Sequence, residues 1–492
     1  MLHVPFAAGL ASADPDPGRL GGKGASLVAM AALGLPVPPG FVVPVETANS
    51  DALERALADG LLWLEERTGR ELGGERPLLV SARSGAPVSM PGMMDTVLNV
   101  GATARATEAL AAEAGEAFAR DCRRRFLQGY AVSVSGRSRH DFEDDRPETA
   151  ERLAASLVPD DAREGLRRAA AAVVASWRGE RAERFREIAG LEGRDMERGT
   201  ALVVQAMVFG NRDARSGTGV MRTRDTATGA PGPTGEWLPS EQGEAVVGGA
   251  RNPFALRGGE NALTDRLPEA MNGLAQAGRA LERHARDAQE IEFTVESGHL
   301  WLLQARAMRR DDAAHRRIAV DMVREGLIDR AEAVARTRPR EAAARQVAAL
   351  VPGQRLDTIA RGLPASPGVA SGRVVMDAAA AVRSEGPVVL VREETDPSDV
   401  AGINAAAAIL TARGGAMSHA ASVALALAKP CVTAARGLEV DANGFTVAGR
   451  RVRAGETITV DGTAGRAYAG AARTQAPEPD ESLAVLLEWA EG

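Results

Sequence analysis

Cysteine is almost missing from this sequence: 492 residues hold two, Cys122 and Cys431. Two are too few for a disulfide framework or a Cys-x-x-Cys metal site. Aromatic residues make up 3% of the chain, and Ala and Arg fill many positions that Leu and Lys take elsewhere. Positive charge is not in excess either, with 59 Lys and Arg against 66 Asp and Glu and a net charge of −7, which argues against non-specific nucleic-acid binding. No apolar run approaches the roughly 20 residues that span a bilayer. The N-terminus lacks a basic stretch followed by an apolar core, so no secretory signal is expected. What is present is the composition of a globular protein, 45% hydrophobic and 25% charged, in a chain long enough for about two to four domains. A cytoplasmic enzyme is the expectation, with neither nucleic acid nor membrane as partner.

The texture changes along the chain. Residues 1–101 are rich in Gly and Pro and carry short strand-like runs, "GFVVPV" (40–45) and "RPLLVSARS" (76–84). From about 102 to 198 the pattern turns helical, with Ala, Arg, Glu and Leu dominant and Pro rare. Strand-like runs return from "TALVVQAMVFG" (200–210) to "LWLLQAR" (300–306). A second helical stretch follows to about 350, read as a connector of packed helices. Beyond it come short strands cut by Gly, then a polar tether and the amphipathic "LAVLLEWA". These textures divide the chain at 1–308 (with the helical insert 102–198), 309–356, 357–474 and 475–492.

Four stretches carry residues suited to phosphate chemistry. "LGGKGASLVAMAALG" (20–34) sets Lys23 among glycines at a helix start, where backbone amides, the helix terminus and an ammonium all favour an anion; a glycine turn capping a helix is the alternative. It is not a P-loop, because Gly24 follows Lys23 where that motif needs Ser or Thr. "VSARSGAPVSMPGMMDTVLNVG" (80–101) puts Arg83 at the exit of a strand, and its planar fork suits phosphate. The loop after it, with glycines and the pair Met93–Met94, reads as a mobile lid. "QEIEFTVESGHLWLLQAR" (289–306) alternates as a hairpin turning at Glu296–Ser297–Gly298. Glu290, Glu292 and Thr294 share one face against Ile291, Phe293 and Val295, and Gln304 and Arg306 share a face of the return strand. Two carboxylates about 7 Å apart along a strand can hold Mg²⁺ against a polyphosphate; a half-exposed hairpin with a polar face is the other reading. Finally, "ILTARGGAMSHAASVALALAKP" (409–430) places His419 in the first turn of a helix, where the positive backbone field disfavours the imidazolium and keeps the ring nucleophilic. Gly414 and Gly415 clear its approach, and Ser418 is the expected cap. A lone His in a structural role is the competing reading.

The first two stretches, "GGKGASLVAMAALGLPVPPGF" and "RSGAPVSMPGMMDTVLNVG", closely resemble the ATP-binding half of the pyruvate phosphate dikinase family. The resemblance extends to "VFGNRDARSGTGVMRTRDTATG" (208–229), where that family reads Phe-Thr-Arg-Asn-Pro against "RTRDT" here, and to "GEWLPSEQGEAVVGG" (235–249). In the hairpin the family has Asp at the position of Glu290. The His419 stretch resembles the family's swivelling phosphohistidine domain, whose core is Gly-Gly-Met-Thr-Ser-His-Ala. Met417 stands where the family has a Thr open to regulatory phosphorylation, so that control is not expected. An Arg later in that helix is replaced at or near Leu425.

The resemblance implies an α+β multidomain chain: an ATP-grasp-like nucleotide-binding domain and a swivelling β/β/α phosphohistidine domain, joined by the helical connector. It implies that Lys23, Arg83, Thr218, Gln304 and Arg306 bind the nucleotide phosphates, with Gly219 and Arg224 beside Thr218, and that Glu290 and Glu292 hold Mg²⁺. His419 would take a phosphoryl group from ATP, with inorganic phosphate as second acceptor, giving AMP and pyrophosphate. Pyruvate would be the acceptor if a separate subunit supplies the family's pyruvate and phosphoenolpyruvate barrel, and "LAVLLEWAEG" resembles the first helix of the connector to that barrel. A kinase acting on another small molecule and a non-catalytic ATP-binding or phosphocarrier protein remain the alternatives.

Overall fold

The computed structural model describes residues 2–10, 14–86, 93–137, 152, 155–188, 199–242, 252–340, 348–415, 418–475 and 481–491. The chain is mixed α/β and multidomain, and forms two compact units, residues 1–217 with 293–306 and residues 218–292 with 307–492.

In the first unit, β1 (Val4–Phe6), β2 (Gly40–Val43), β3 (Val80–Gly85), β4 (Thr96–Val100) and β5 (Ala201–Ala206) make an antiparallel sheet in the order β1-β2-β5-β3-β4. The strands nearest its centre are apolar on both faces: every residue of β2 is buried, as are the first five of β5. Helices therefore cover the sheet. α1 (Pro17–Ala32) packs against β3 and β5, and the expected helical insert supplies α2 (Ala104–Ala114), α3 (Glu116–Ser135) and α4 (Ala162–Ala175). The few aromatic side chains are spent here: Phe41, Phe126 and Tyr130 are buried, and Phe118 meets Phe209 edge-on at 5.0 Å.

A second sheet begins with β6 (Gly217–Arg224), β7 (Pro231–Pro239), β8 (Phe254–Ala255) and β9 (Gln289–Glu296), ordered β8-β7-β6-β9. β9 turns at Ser297–Gly298 into β10 (His299–Ala307). Both turn residues have positive φ, 49° and 86°, the two-residue turn whose twist matches that of the paired strands. α5 (Pro268–Ala285) packs on this sheet: a Cβ added at Gly278 would lie 2.6 Å from the Met221 side chain. Beneath it lies a buried cation. Arg224 donates to Glu282 at 2.7 and 3.2 Å and to Glu325 at 2.6 Å, and its side chain is 2% exposed. This corrects its expected place beside the nucleotide: a guanidinium this buried must be matched by carboxylates, and here it ties β6 to α5 and to the end of α6 (Asp312–Arg324).

The remainder of the second unit is built on an eight-stranded sheet. Its strands are β11 (Thr358–Arg361), β12 (Leu363–Ser366), β13 (Val369–Val375), β14 (Val388–Arg392), β15 (Ala408–Thr411), β16 (Cys431–Thr433), β17 (Thr457–Asp461) and β18 (Arg466–Ala469), in the order β11-β18-β17-β13-β14-β15-β16-β12. β13 to β16 run parallel, which requires crossovers, and short helices supply them. Cys431 is fully buried in β16 and burial pushes its thiol well up, so it serves as packing. The chain enters and leaves this sheet side by side, Ala349–Leu350 pairing antiparallel with Thr474–Gln475. The closing helix α9 (Glu481–Glu491) does not hang as part of a tether. Leu483 and Leu486 are buried, α9 packs against α6 and α7 (Arg330–Thr337), and Arg330 stacks over Trp489 at 5.5 Å. The residues between β18 and α9 that precede it, 476–480, lie outside the described residues.

Candidate active site

In the first unit the phosphate-binding candidates gather around α1. Asp16 caps the helix by accepting from the Gly18 amide, and Gly21 (φ 66°) then breaks it, so that a fresh helical segment starts just before Lys23. The break has a packing cause. The Gly22 amide donates to the Ala86 carbonyl at 2.9 Å, and a Cβ at Gly21 would overlap the Gly85 carbonyl oxygen. These glycines bring α1 onto the end of β3, two to three residues beyond Arg83. On the next turn the Ser26 hydroxyl donates to the Ala305 carbonyl at 2.7 Å and accepts from its amide at 3.1 Å, fixing β10 between Gln304 and Arg306. Lys23, Arg83, Gln304 and Arg306 are all half-buried. The lid expected after Arg83 falls largely on residues 87–92, outside the described residues; Met93 at its end is buried.

In the second unit Thr218 lies in β6, 3% exposed. On β9, Glu290 is 4% exposed and Glu292 half-buried. Glu290 Oε2 accepts from Arg222 Nε at 3.1 Å, an ion pair with both side chains at least nine-tenths buried. One carboxylate of the expected two-carboxylate cradle thus faces a cation across the sheet. Among the described residues no cluster of three or more His, Cys, Asp and Glu has metal-binding geometry.

His419 opens α8 (His419–Ala426) at the C-terminal edge of parallel strand β15, where helix N-termini and loop backbone meet in α/β sheets. Ser418 is its cap, Oγ accepting from the Ala421 amide at 3.4 Å. Ala420 to Ala424 are all buried, so small side chains seat the helix closely. The Arg309 guanidinium donates to the Ser422 carbonyl at 3.2 Å. His419 Nε2 is buried with no hydrogen-bond partner among the described residues. Burial lowers the ring's pKa to about 4, and the Asp396 carboxylate offsets this only in part. The ring is thus neutral at pH 7, with burial the main cause where the sequence pointed to the helix terminus alone. Met417, beside Ser418, lies outside the described residues.

Sequence reasoning passed over two features of this region. Glu236 on β7, 7% exposed, packs so closely on the loop that a Cβ at Gly415 would run into its carboxylate. Thr395, in the loop after β14, has a buried hydroxyl without a partner among the described residues. An unpaired buried polar atom in a folded chain marks a place to look for function; no local sequence pattern announces it.

The His419 titration gives a test. Imidazole proton shifts of the folded chain should report a midpoint near about 4, against about 6.5 for an unperturbed ring. Since the unfolded ring takes up its proton first, this group makes the fold less stable as pH falls from about 6.5 toward about 4. A midpoint at or above the unperturbed value would contradict the buried neutral ring.

Residues 45–260 match the pyruvate phosphate dikinase AMP/ATP-binding domain, and residues 384–465 match the mobile domain of PEP-utilising enzymes. The chain is 40% identical to the pyruvate, phosphate dikinase of Rhizobium meliloti (strain 1021), over 99% of this chain and 60% of that protein. It is 40% identical to pyruvate, phosphate dikinase 2 of Zea mays, over 96% and 57%, and 38% identical to the pyruvate, phosphate dikinase of Clostridium symbiosum, over 96% and 58%. It spans about three fifths of the length of these relatives. With the nucleotide-binding domain matched around Arg83 and Thr218, and the mobile domain matched around His419, the chain belongs to the pyruvate, phosphate dikinase family.

Proposed function

We propose that the chain is an ATP-dependent phosphotransferase of the dikinase type, with His419 as the phosphoryl carrier. The observation that carries this reading is the His419 ring at the first turn of α8, held neutral at pH 7 by burial, with no partner for Nε2 among the described residues. In the tautomer protonated at Nδ1, Nε2 offers a lone pair for attack on phosphorus, and the helix terminus welcomes the negative charge that attack brings. Nε2 attacks the β-phosphorus of ATP, the bond from that phosphorus to the α–β bridging oxygen breaks, and AMP leaves. Inorganic phosphate attacks the γ-phosphorus, the bond to the β–γ bridging oxygen breaks, and pyrophosphate leaves with the β-phosphoryl group still on His419. Phosphoryl transfer asks mainly for positioning and charge neutralisation. Lys23, Arg83, Gln304 and Arg306, with Thr218, bind the triphosphate, while Gly414, Gly415 and Ser418 shape the loop at the ring. Mg²⁺ accompanies ATP as counter-ion of the polyphosphate.

Residues 1–308 form the nucleotide-binding domain in this reading, 357–474 carry the phosphohistidine, 309–356 give it reach, and 475–492 close the chain. The group passes from His419 to an acceptor, which is pyruvate where a barrel subunit supplies its site. Both cysteines are buried and neither forms a disulfide, which suits a reducing compartment such as the cytoplasm. The test is product analysis of the chain with ATP, with and without inorganic phosphate. AMP should form with ATP alone, up to about one equivalent per chain, and pyrophosphate only when phosphate is also present. ATP bound without any AMP would sink the reading in favour of a sensor. Adding pyruvate, then other small acceptors, makes turnover report which of them takes the group.

A further inference from the structure

We infer that Thr395 is a further catalytic residue of the transfer at His419, its hydroxyl donating to an oxygen of the phosphoryl group that Nε2 takes. Thr395 Oγ1 and His419 Nε2 are both buried atoms, and neither has a hydrogen-bond partner among the described residues. A hydroxyl brings one donor and two acceptor positions, and leaving them unused inside a fold is costly. Two such atoms on neighbouring loops are satisfied together by one incoming group, bonded to the first and hydrogen-bonded by the second.

The backbone places the two loops side by side. β14 and β15 are parallel neighbours with Arg392 opposite Thr411, and their pairing runs on past both strand ends. The Ala412 amide donates to the Arg392 carbonyl at 3.1 Å, and the Arg413 amide to the Glu393 carbonyl at 2.8 Å. The side chains of Arg413 and Glu393 close the same step as an ion pair at 2.9 Å. Thr395 stands two residues beyond Glu393 and Gly415 two beyond Arg413, on the way to Ser418 and His419. The helices that continue the two loops, Val400–Ala405 and α8, pack against each other. This is the carboxyl edge of parallel strands, where α/β sheets hold their ligands.

The Thr395 loop is also fixed from within. Asp396 Oδ1 accepts from the Ser398 amide at 2.7 Å, and the Asp396 amide donates to Asp399 Oδ2 at 3.1 Å, a capping box with Pro397 at the first helical position. A donor held in place in this way needs no rearrangement as charge develops beside it. As the bond from Nε2 to phosphorus forms and the bond to the α–β bridging oxygen breaks, negative charge lies on the remaining oxygens of that phosphorus. One of them accepts from Thr395, which keeps its proton throughout. The inference deepens the reading of His419 proposed above and rests on it.

Single-turnover labelling from β-labelled ATP, followed over a range of ATP concentrations, provides the test. Thr395→Val exchanges the hydroxyl for a methyl group of similar shape. The labelling rate at saturating ATP should fall by about 10–100-fold, while the ATP concentration giving half the maximal rate stays within about twofold, because the lost bond belongs to the transferred group. The thermal midpoint should stay level or rise, since the hydroxyl removed has no partner among the described residues. Thr395→Ser keeps the donor and should restore the rate to within about threefold. Thr395→Ala reads the same loss should the Val variant fail to fold. The inference is overturned if a folded Val or Ala variant labels within about twofold of the unaltered chain, or if the Ser variant is as slow as they are, which would make side-chain shape the cause. An unaltered chain that takes no label overturns the reading of His419 as well; label on it with equal label on the variants overturns the role of Thr395 alone.

Discussion

Replacing His419 with Ala is expected to abolish phosphoryl transfer from ATP to the protein and to leave the fold standing. The loss is total rather than partial, because the proposed covalent intermediate has no second atom on which to form. The cost to stability is small for three reasons. Ala is the best helix former, the cap that starts α8 comes from Ser418 rather than from the histidine, and the deletion removes a buried ring nitrogen that has no partner among the described residues. Such an atom costs about 1–3 kcal/mol when left unpaired, which offsets packing lost with the ring. The thermal midpoint should therefore stay level or rise while acid-labile, base-stable labelling from β-labelled ATP disappears. Persistent labelling in the variant would remove His419 from the reaction; a fall of many degrees in the midpoint would mean that the ring is structural.

The second large effect is at Gly21. Gly21→Ala should destabilise the first unit by about 2–4 kcal/mol, combining the penalty of a left-handed backbone for an L side chain with overpacking against a neighbouring strand. The added methyl would overlap the Gly85 carbonyl oxygen, an atom of β3's backbone that cannot rotate aside. Function falls further than stability. The Gly22–Ala86 hydrogen bond sets where the Lys23 segment begins, and a displacement of about 1 Å at a positioned group can cost 10²-fold in rate. Chemical denaturation and labelling from ATP measure the two effects. Unchanged stability would show that α1 and β3 separate easily, and unchanged labelling would show that Lys23 does not depend on this junction.

These two cases also show what could be read in the sequence and what could not. The His419 loop was legible because its signals are local: an apolar strand, two glycines, a capping Ser and a run of small residues all fall within about five helical turns' length of chain. The β9–β10 hairpin was legible for the same reason, since strict alternation around Ser297–Gly298 fixes which side chains share a face. The glycines around Lys23 were noticed, but their reason was not. At Gly21 the missing side chain makes room for the chain's own Gly85 carbonyl, a contact between residues 64 positions apart in sequence. Arg222 with Glu290, Glu236 with Gly415 and Arg224 with Glu282 and Glu325 are likewise long-range pairings. Each depends on which strands or helices become neighbours, and nothing near any one partner in the chain encodes that. The seating of α9 on α6 and α7 belongs to the same class. Its apolar face was visible in "LAVLLEWA", but a face does not name the surface that covers it.

The proposed chemistry comes down to one covalent bond between His419 and a phosphoryl group. The chain incubated with ATP and inorganic phosphate, quenched in base, digested and analysed by mass spectrometry, locates that bond. The expected result is a single acid-labile modification on the peptide containing His419, formed in step with AMP. A modification on a different residue, or AMP formed while every peptide stays unmodified, would contradict it.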